Sequence, residues 1–153
     1  MDAGANSNGG GDEVASLIYL SRALVPFSRA SLQQLAMRSS AANALQDITG
    51  YLSYRDGRFT QYLEGEESAV LGLLDRIEHD FRHEFLTIAH LGETKRNFPD
   101  WSLKILNPLW YLTGGPVDAI DELLTLTAGS TDSDAITRET LTGLVAQISS
   151  GAQ

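Results

Sequence analysis

The hydrophobic pattern of this chain changes period several times, and each change marks an element. Val14 to Leu20 is almost wholly apolar and leaves no polar face, which predicts a central strand buried on both sides. Pro26 and Ser28 then introduce a helix, with Ser28 as its N-cap. Leu32, Leu35, Ala36, Ser39 and Asn43 follow at steps of three and four and share one helix face. The segments ITGYLSYR and RFTQYLEG flank Asp56 and Gly57, which predict a two-residue hairpin turn. That turn sets the register: Arg55 opposes Arg58, Tyr54 opposes Phe59, and Leu52 opposes Gln61. Ile48, Gly50, Leu52, Tyr54, Phe59, Gln61 and Leu63 then lie on one face of the sheet.

A second helix is predicted from about Glu67 to Phe81, with Val70, Leu74, Ile77 and Phe81 as its apolar stripe. Phe85 to Leu91 reads as a strand, and Trp101 to Leu106 as another, ended by Pro108. Two amphipathic helices close the chain. One starts near Pro116 and aligns Val117, Ile120, Leu124 and Thr127; the other aligns Ile136, Leu141, Leu144, Val145 and Ile148. The order predicts an α+β fold: a ferredoxin-like βαββαββ sheet with two helices on one face and the C-terminal pair on the other. Covering the second face explains why the first strand has no polar side, and Tyr51 and Tyr62, opposed on that face, offer apolar area for it. Residues 1–12, rich in Gly, Asn and Ala, predict a disordered lead-in. Residues 13–107 form the expected domain, and 108–153 a helical extension packed on its sheet.

Charge and composition narrow the function. The chain has 153 residues and a formal charge of -9, with no cluster of Lys or Arg, so neither nucleic acid nor an anionic membrane is an expected partner. The absence of cysteine excludes disulfides, thiolate metal sites and a Cys nucleophile. No apolar run approaches a membrane span and no signal pattern opens the chain, so the expected location is cytoplasmic.

Gln61 is the odd member of its sheet face. A buried amide needs partners or costs a few kcal/mol. A backbone group or water would satisfy it; so would a polar ligand lying on the sheet, with Gly50 either leaving room for a flat ring or marking a sheet bend. Ser39 and Asn43, four apart, face the same space. Arg76 and Asp80 are four apart on the second helix and read as an i, i+4 pair. Arg82 and His83 follow at its end, and Tyr19 sits within the first strand. Two helices and two strands would thus bring polar groups to one cleft.

These residues carry a resemblance. IYLSRA, Asn43 followed by DITGYLSYRDGRFTQYLEGE, RIEHDFRH and FPDWSL together resemble a BLUF (blue-light-using-flavin) domain, over about Val14 to Leu106. The resemblance implies a flavin ring inserted between the two helices, with FAD as the cofactor and FMN left open. Tyr19 matches the tyrosine that gives an electron and then a proton to the excited flavin, and Gln61 the glutamine between them. Asn43 matches the asparagine on the pyrimidine edge, and Ser39 a serine near the Tyr–Gln pair. Asp80, Arg82 and His83 match positions around the ring and ribityl chain, and Arg76 a basic residue over the ring. Leu52, Phe59 and Ile77 complete the expected flavin contacts. Trp101 matches a tryptophan of the last strand. Leu103 departs from the pattern, since the family usually has Met there, and Ala42 stands where some members have His or Asn.

The implied function is a blue-light photoreceptor with no catalysis of its own. The residues after Leu106 have room for two helices but not for a cyclase or phosphodiesterase, so the expected output is a downstream effector protein or a homo-oligomer. Two other readings use the same sheet. An acylphosphatase-like hydrolase would want a glycine-rich anion loop, which Ser21 to Phe27 lacks despite Arg22. A flavin-free interaction module would not need Tyr19, Asn43 and Gln61.

Overall fold

The computed structural model describes residues 13–106, 115–128 and 135–151. Its sheet contains β1 (Glu13–Ala23), β2 (Thr49–Arg55), β3 (Arg58–Gly65), β4 (His83–Lys95) and β5 (Lys104–Ile105). The order across the sheet is β4-β1-β3-β2-β5. All neighbours are antiparallel except β5, which runs parallel to β2. The fold is α+β and ferredoxin-like, as the element order predicts.

β1 and β3 hold the centre, and both are buried on both faces. The hairpin register is the predicted one, with Leu52 opposite Gln61 and Tyr54 opposite Phe59. Asp56 and Gly57 turn it with φ of 54° and 77°, the pair of positive values that a tight primed turn requires. β4 is longer than predicted, because its pairing with β1 continues through His83 and Lys95 at its ends. β5 is shorter: regular pairing with β2 covers only Lys104 and Ile105. Ahead of it the Trp101 carbonyl bonds Gly50 N–H at 2.9 Å instead of continuing a ladder.

α1 (Arg29–Leu45) and α2 (Glu67–Glu78) cross one face of the sheet. Ser28 caps α1 as predicted, in a reciprocal box with Ser31. α2 ends at Glu78 rather than at Phe81, and Phe81 is 83 % exposed instead of belonging to the apolar stripe. The cause is local: Asp80 folds back to accept the Arg82 N–H at 3.0 Å, and a short acidic side chain bonded to nearby backbone competes with helix continuation.

α3 (Pro116–Leu126) and α4 (Ala135–Gly151) pack on the opposite face. Val117, Ile120 and Leu124 of α3, with Leu141, Val145 and Ile148 of α4, join Ile18, Leu20, Tyr51 and Tyr62 in one core. The Tyr51 and Tyr62 rings stack there with centroids 6.1 Å apart. Ile136, expected in the α4 stripe, is exposed. It stands five residues before Leu141, and a five-residue step turns a helical side chain roughly 140° away. The lead-in up to residue 12 and Pro108 lie outside the described residues. Among the described residues no helix is long and apolar enough to cross a membrane.

Candidate functional site

Between α1 and α2, above the sheet, lies a cleft of about 620 Å³, within the usual range for small-molecule sites. Tyr19 from β1 and Gln61 from β3 form its floor. They are register partners, and alternation points both side chains to this face. The Tyr19 hydroxyl donates a hydrogen bond to Gln61 Oε1. Both residues are buried, at 3 % and 5 % exposure, so the polar pair satisfies itself inside an apolar floor. With Oε1 engaged by the tyrosine, the Gln61 amide nitrogen is the group offered to the cleft.

The tyrosine environment favours the neutral phenol. Burial raises the Tyr19 pKa far above its ordinary value, and the Asp80 carboxylate adds to the effect. Phe85 meets the Tyr19 ring edge-on at 4.8 Å, and the His83 ring lies at 6.2 Å. His83 bonds the Ile77 carbonyl through Nε2 at 2.9 Å, while its buried Nδ1 has no hydrogen-bond partner in the protein.

Asn43, 2 % exposed, is the one buried residue of α1. Its Nδ2 donates to the Ser102 carbonyl at 2.9 Å, tying the C-terminal end of α1 to the segment before β5. That leaves Oδ1 as an acceptor at the cleft. Ser39 lines the same wall one turn earlier. From α2 come Arg76 and Ile77. Arg76 does not pair with Asp80 as its spacing suggests. Asp80 takes Arg82 instead, at 2.6 Å, and this hydrogen-bonded cation holds the Asp80 carboxyl below the usual carboxylate range. Because α2 stops at Glu78, Asp80 no longer lies on the helix surface below Arg76.

Leu52, Phe59 and Leu103 pack together as an apolar wall of the cleft. Trp101 lies on the other side of the sheet, stacked on Phe98 at 5.0 Å and packed against the core under α3 and α4. Gly50 does not line the cleft. A side chain there would collide with the Tyr62 carbonyl on the neighbouring strand, so the glycine permits a close approach of the two backbones.

Sequence reasoning missed Phe27, Arg38, Gln46 and Leu73 as cleft residues. Arg38 stands three after Leu35, Gln46 three after Asn43, and Leu73 precedes Arg76 and Ile77 by three and four, so a wider helix face would have found them. Phe27 precedes the Ser28 cap and shares a cluster with Leu32, four positions into the helix, which is the signature of a hydrophobic staple.

The described lining suits a flat ring with one polar edge: apolar side chains on facing walls, and Gln61 and Asn43 presenting nitrogen and oxygen. The family model for BLUF, "Sensors of blue-light using FAD", matches residues 14–104. The chain belongs to the BLUF family. It is a flavin-using blue-light sensor domain. The chain is 38% identical over 104 residues to photoactivated adenylate cyclase subunit beta of Euglena gracilis, covering 66% of this chain and 12% of that protein. It therefore spans a small part of that relative's length. Among solved structures, it is similar to the dark state of BlrB, a BLUF protein, with 28% identity, a TM-score of 0.64 and 92% of this chain and 98% of that one covered. It is also similar to Klebsiella pneumoniae BlrP1 with FMN and cyclic diGMP, with 26% identity, a TM-score of 0.57 and coverage of 87% and 34%.

Proposed function

We propose that Tyr19 and Gln61 are the switching pair of this BLUF domain, and that the switched state is passed through the sheet to a partner protein or a second copy of the chain. The hydrogen bond from the Tyr19 hydroxyl to Gln61 Oε1, buried at the floor of the cleft, is the observation that carries this reading.

A bound flavin supplies blue-light absorption and an excited state that is a strong oxidant. Tyr19 is the chain's oxidisable group at the cleft floor. A neutral phenol that loses an electron becomes a strong acid, and its proton already faces Gln61 Oε1. Raised burial keeps that proton on Tyr19 until oxidation, so the proton moves only under light. Once the Tyr19 hydroxyl ceases to donate, the Gln61 amide has no reason to keep its oxygen toward the tyrosine. Rotation or tautomerisation then changes what Gln61 offers to the cleft from a donor to an acceptor or the reverse. Return of the electron and proton to Tyr19 leaves the pair neutral but rearranged.

Asn43 Oδ1 would accept from a ring N–H, while its Nδ2 stays on Ser102. Arg76, Arg82 and Ser39 would face the polar rim and the chain beyond it, and Leu52, Phe59 and Ile77 the ring faces. FAD is the cofactor named by the family, and FMN shares the ring and ribityl chain that this cleft would grip. The sensor itself performs no catalysis in this reading, and its cytoplasmic location belongs to the same reading.

A light-minus-dark absorption spectrum of the purified protein tests the proposal. The native chain should hold non-covalent flavin and show a reversible red shift. Tyr19→Phe should hold flavin equally and show none. A full shift in Tyr19→Phe would remove the proposed donor.

A further inference from the structure

Alternation along β3 places Gln61 between two residues that face the other side of the sheet, Thr60 and Tyr62. Both are almost fully buried there, and both carry hydroxyls. Each hydroxyl leads to a different C-terminal helix. Thr60 Oγ1 donates directly to Asp121 Oδ1 of α3 at 2.7 Å. Tyr62 reaches α4 indirectly: Asn97 Nδ2 donates to its Oη at 3.2 Å, and the Asn97 carbonyl accepts from Ser149 Oγ of α4 at 2.5 Å.

The two routes differ in stiffness. Around Tyr62 the buried Glu64 carboxylate accepts from four groups: the Thr49 and Tyr62 hydroxyls and the Asn97 and Phe98 N–H groups. A carboxylate held by four donors fixes its surroundings. Thr60 has a single directed bond, to a carboxylate at the edge of a cavity of about 290 Å³ lined also by Leu20, Arg55, Arg58 and Thr125. Asp121 therefore has space to move when its partner does. Elsewhere α3 meets the sheet through apolar Val117, Ile120 and Leu124, and at its hairpin end through polar contacts: Arg58 Nη1 donates to Thr125 Oγ1 at 3.3 Å and Arg55 pairs with Asp118. Apolar contact is non-directional and tolerates small displacements, whereas a hydrogen bond weakens steeply with angle and distance.

We propose that Thr60 and Asp121 form the outgoing contact of the switch: rearrangement of Gln61 on one face of β3 displaces Thr60 on the other and loosens α3. This rests on the reading of Gln61 as the switching residue. Thr60 is a positioning residue, since it touches neither flavin nor Tyr19. Asp121 also faces Arg55 at 3.6 Å, and Arg55 pairs with Asp118 of the same helix, so α3 is held at the hairpin end by charge as well. This second tether supplies a control, because it holds the same helix without flanking Gln61.

The experiment is hydrogen exchange of the full flavin-bound chain, in darkness and under blue light, read by mass spectrometry over α3, with the flavin spectrum recorded on the same samples. In the native chain α3 amides should exchange about ten-fold faster in light, the loss of one charge-assisted hydrogen bond. Thr60→Val keeps the β-branched shape and removes the hydroxyl. It should keep the red shift, exchange in darkness as the native chain does in light, and gain nothing from illumination. Arg55→Gln should speed α3 exchange in both states and keep the light-minus-dark difference. Asp121→Asn retains an oxygen facing Thr60 and should keep the difference, and Asp121→Ala should lose it. A normal red shift with α3 exchange equal in light and darkness overturns the proposal, as does a full difference in Thr60→Val. A native chain with no red shift refutes the reading of Gln61 itself, and this proposal falls with it.

Discussion

Tyr19 and Gln61 are partners across β1 and β3, and the hydroxyl of one donates to the side-chain oxygen of the other. Backbone pairing on both strands fixes their separation, so the contact does not depend on loop conformation. Strand register thus decides the chemistry: a slip of one residue would turn Gln61 toward α3 and bring Thr60 or Tyr62 to the cleft.

Replacing Gln61 by Leu should therefore leave the Tyr19 hydroxyl buried without an acceptor. The expected cost is about 1–3 kcal/mol of stability, the price of an unsatisfied buried donor. Flavin should remain bound through the other walls, and the light-induced red shift should vanish. Urea unfolding and a light-minus-dark spectrum on one preparation check both. Retention of the red shift would show that the amide is not needed.

Alkaline stability offers a second test, independent of light. Tyr19 and Tyr62 are both raised far above the ordinary tyrosine pKa, in each case chiefly by burial, with Asp80 and Glu64 respectively adding to it. The folded chain keeps both protons above pH about 10, where an unfolded tyrosine loses its own. The folded state then binds more protons than the unfolded state, so stability is complete below that pH and falls as pH rises through it. The expected slope is about 1.4 kcal/mol per pH unit for each tyrosine. Tyr19→Phe should remove about one proton from that slope, as measured by urea midpoints from about pH 11 to 12, where the unfolded tyrosine is ionised. An unchanged slope would mean that Tyr19 ionises in the folded chain as it does in the unfolded one.

The sheet and its hairpin were legible in the sequence because their signals are local. Asp56 and Gly57 specify the turn, the turn fixes the register, and the register places Gln61 opposite Leu52. The α2 terminus was not legible. Phe81 fits the helical stripe at four residues from Ile77, but the Asp80–Arg82 bonds and the capture of the Ile77 carbonyl by His83 Nε2 and Asp80 N–H stop the helix short of it. The same event misleads the Arg76–Asp80 spacing, which needs a continuous helix. Ile136 was misplaced for a different reason, since a five-residue gap was read as part of a three-and-four pattern. The cleft residues on regular elements could be inferred by counting, but the side of the sheet that Trp101 takes could not. The segment before β5 is irregular, and alternation predicts faces only where pairing is regular.

Asn43→Ala tests the link between helix and last strand. It removes the donor to the Ser102 carbonyl and the acceptor at the cleft together. Flavin retention through purification should fall, and the flavin-free chain should lose about 1 kcal/mol, the net worth of one buried hydrogen bond. Asn43→Asp keeps the cleft acceptor and loses the amide donor, so it should lose similar stability while placing a charge beside the ligand. Comparing flavin content with urea midpoints for the two variants separates the roles. Equal flavin content in Asn43→Ala and the native chain would remove Asn43 from the binding set.

Leu103 carries the last prediction. It lies against Leu52 and Phe59 on the cleft side, whereas Trp101, two residues earlier, packs on Phe98 toward α3 and α4. Leucine is close to methionine in volume, so packing here tolerates the exchange at a cost below about 1.5 kcal/mol. The side chain lacks only the sulfur and the unbranched flexibility of methionine. The Tyr19–Gln61 pair requires neither property, so the native chain should show a normal red shift. What Leu103 does control is how readily the segment from Trp101 to Ile105 repacks when Gln61 turns. A branched, stiffer side chain in that wall should alter the barrier between the two states and leave their spectra alone. Leu103→Met should accordingly keep the amplitude of the red shift and change the dark-recovery time. Light-minus-dark spectra with recovery traces on both proteins decide it. A native chain that barely shifts, together with a Leu103→Met variant that shifts fully, would place this position inside the primary switch and not downstream of it.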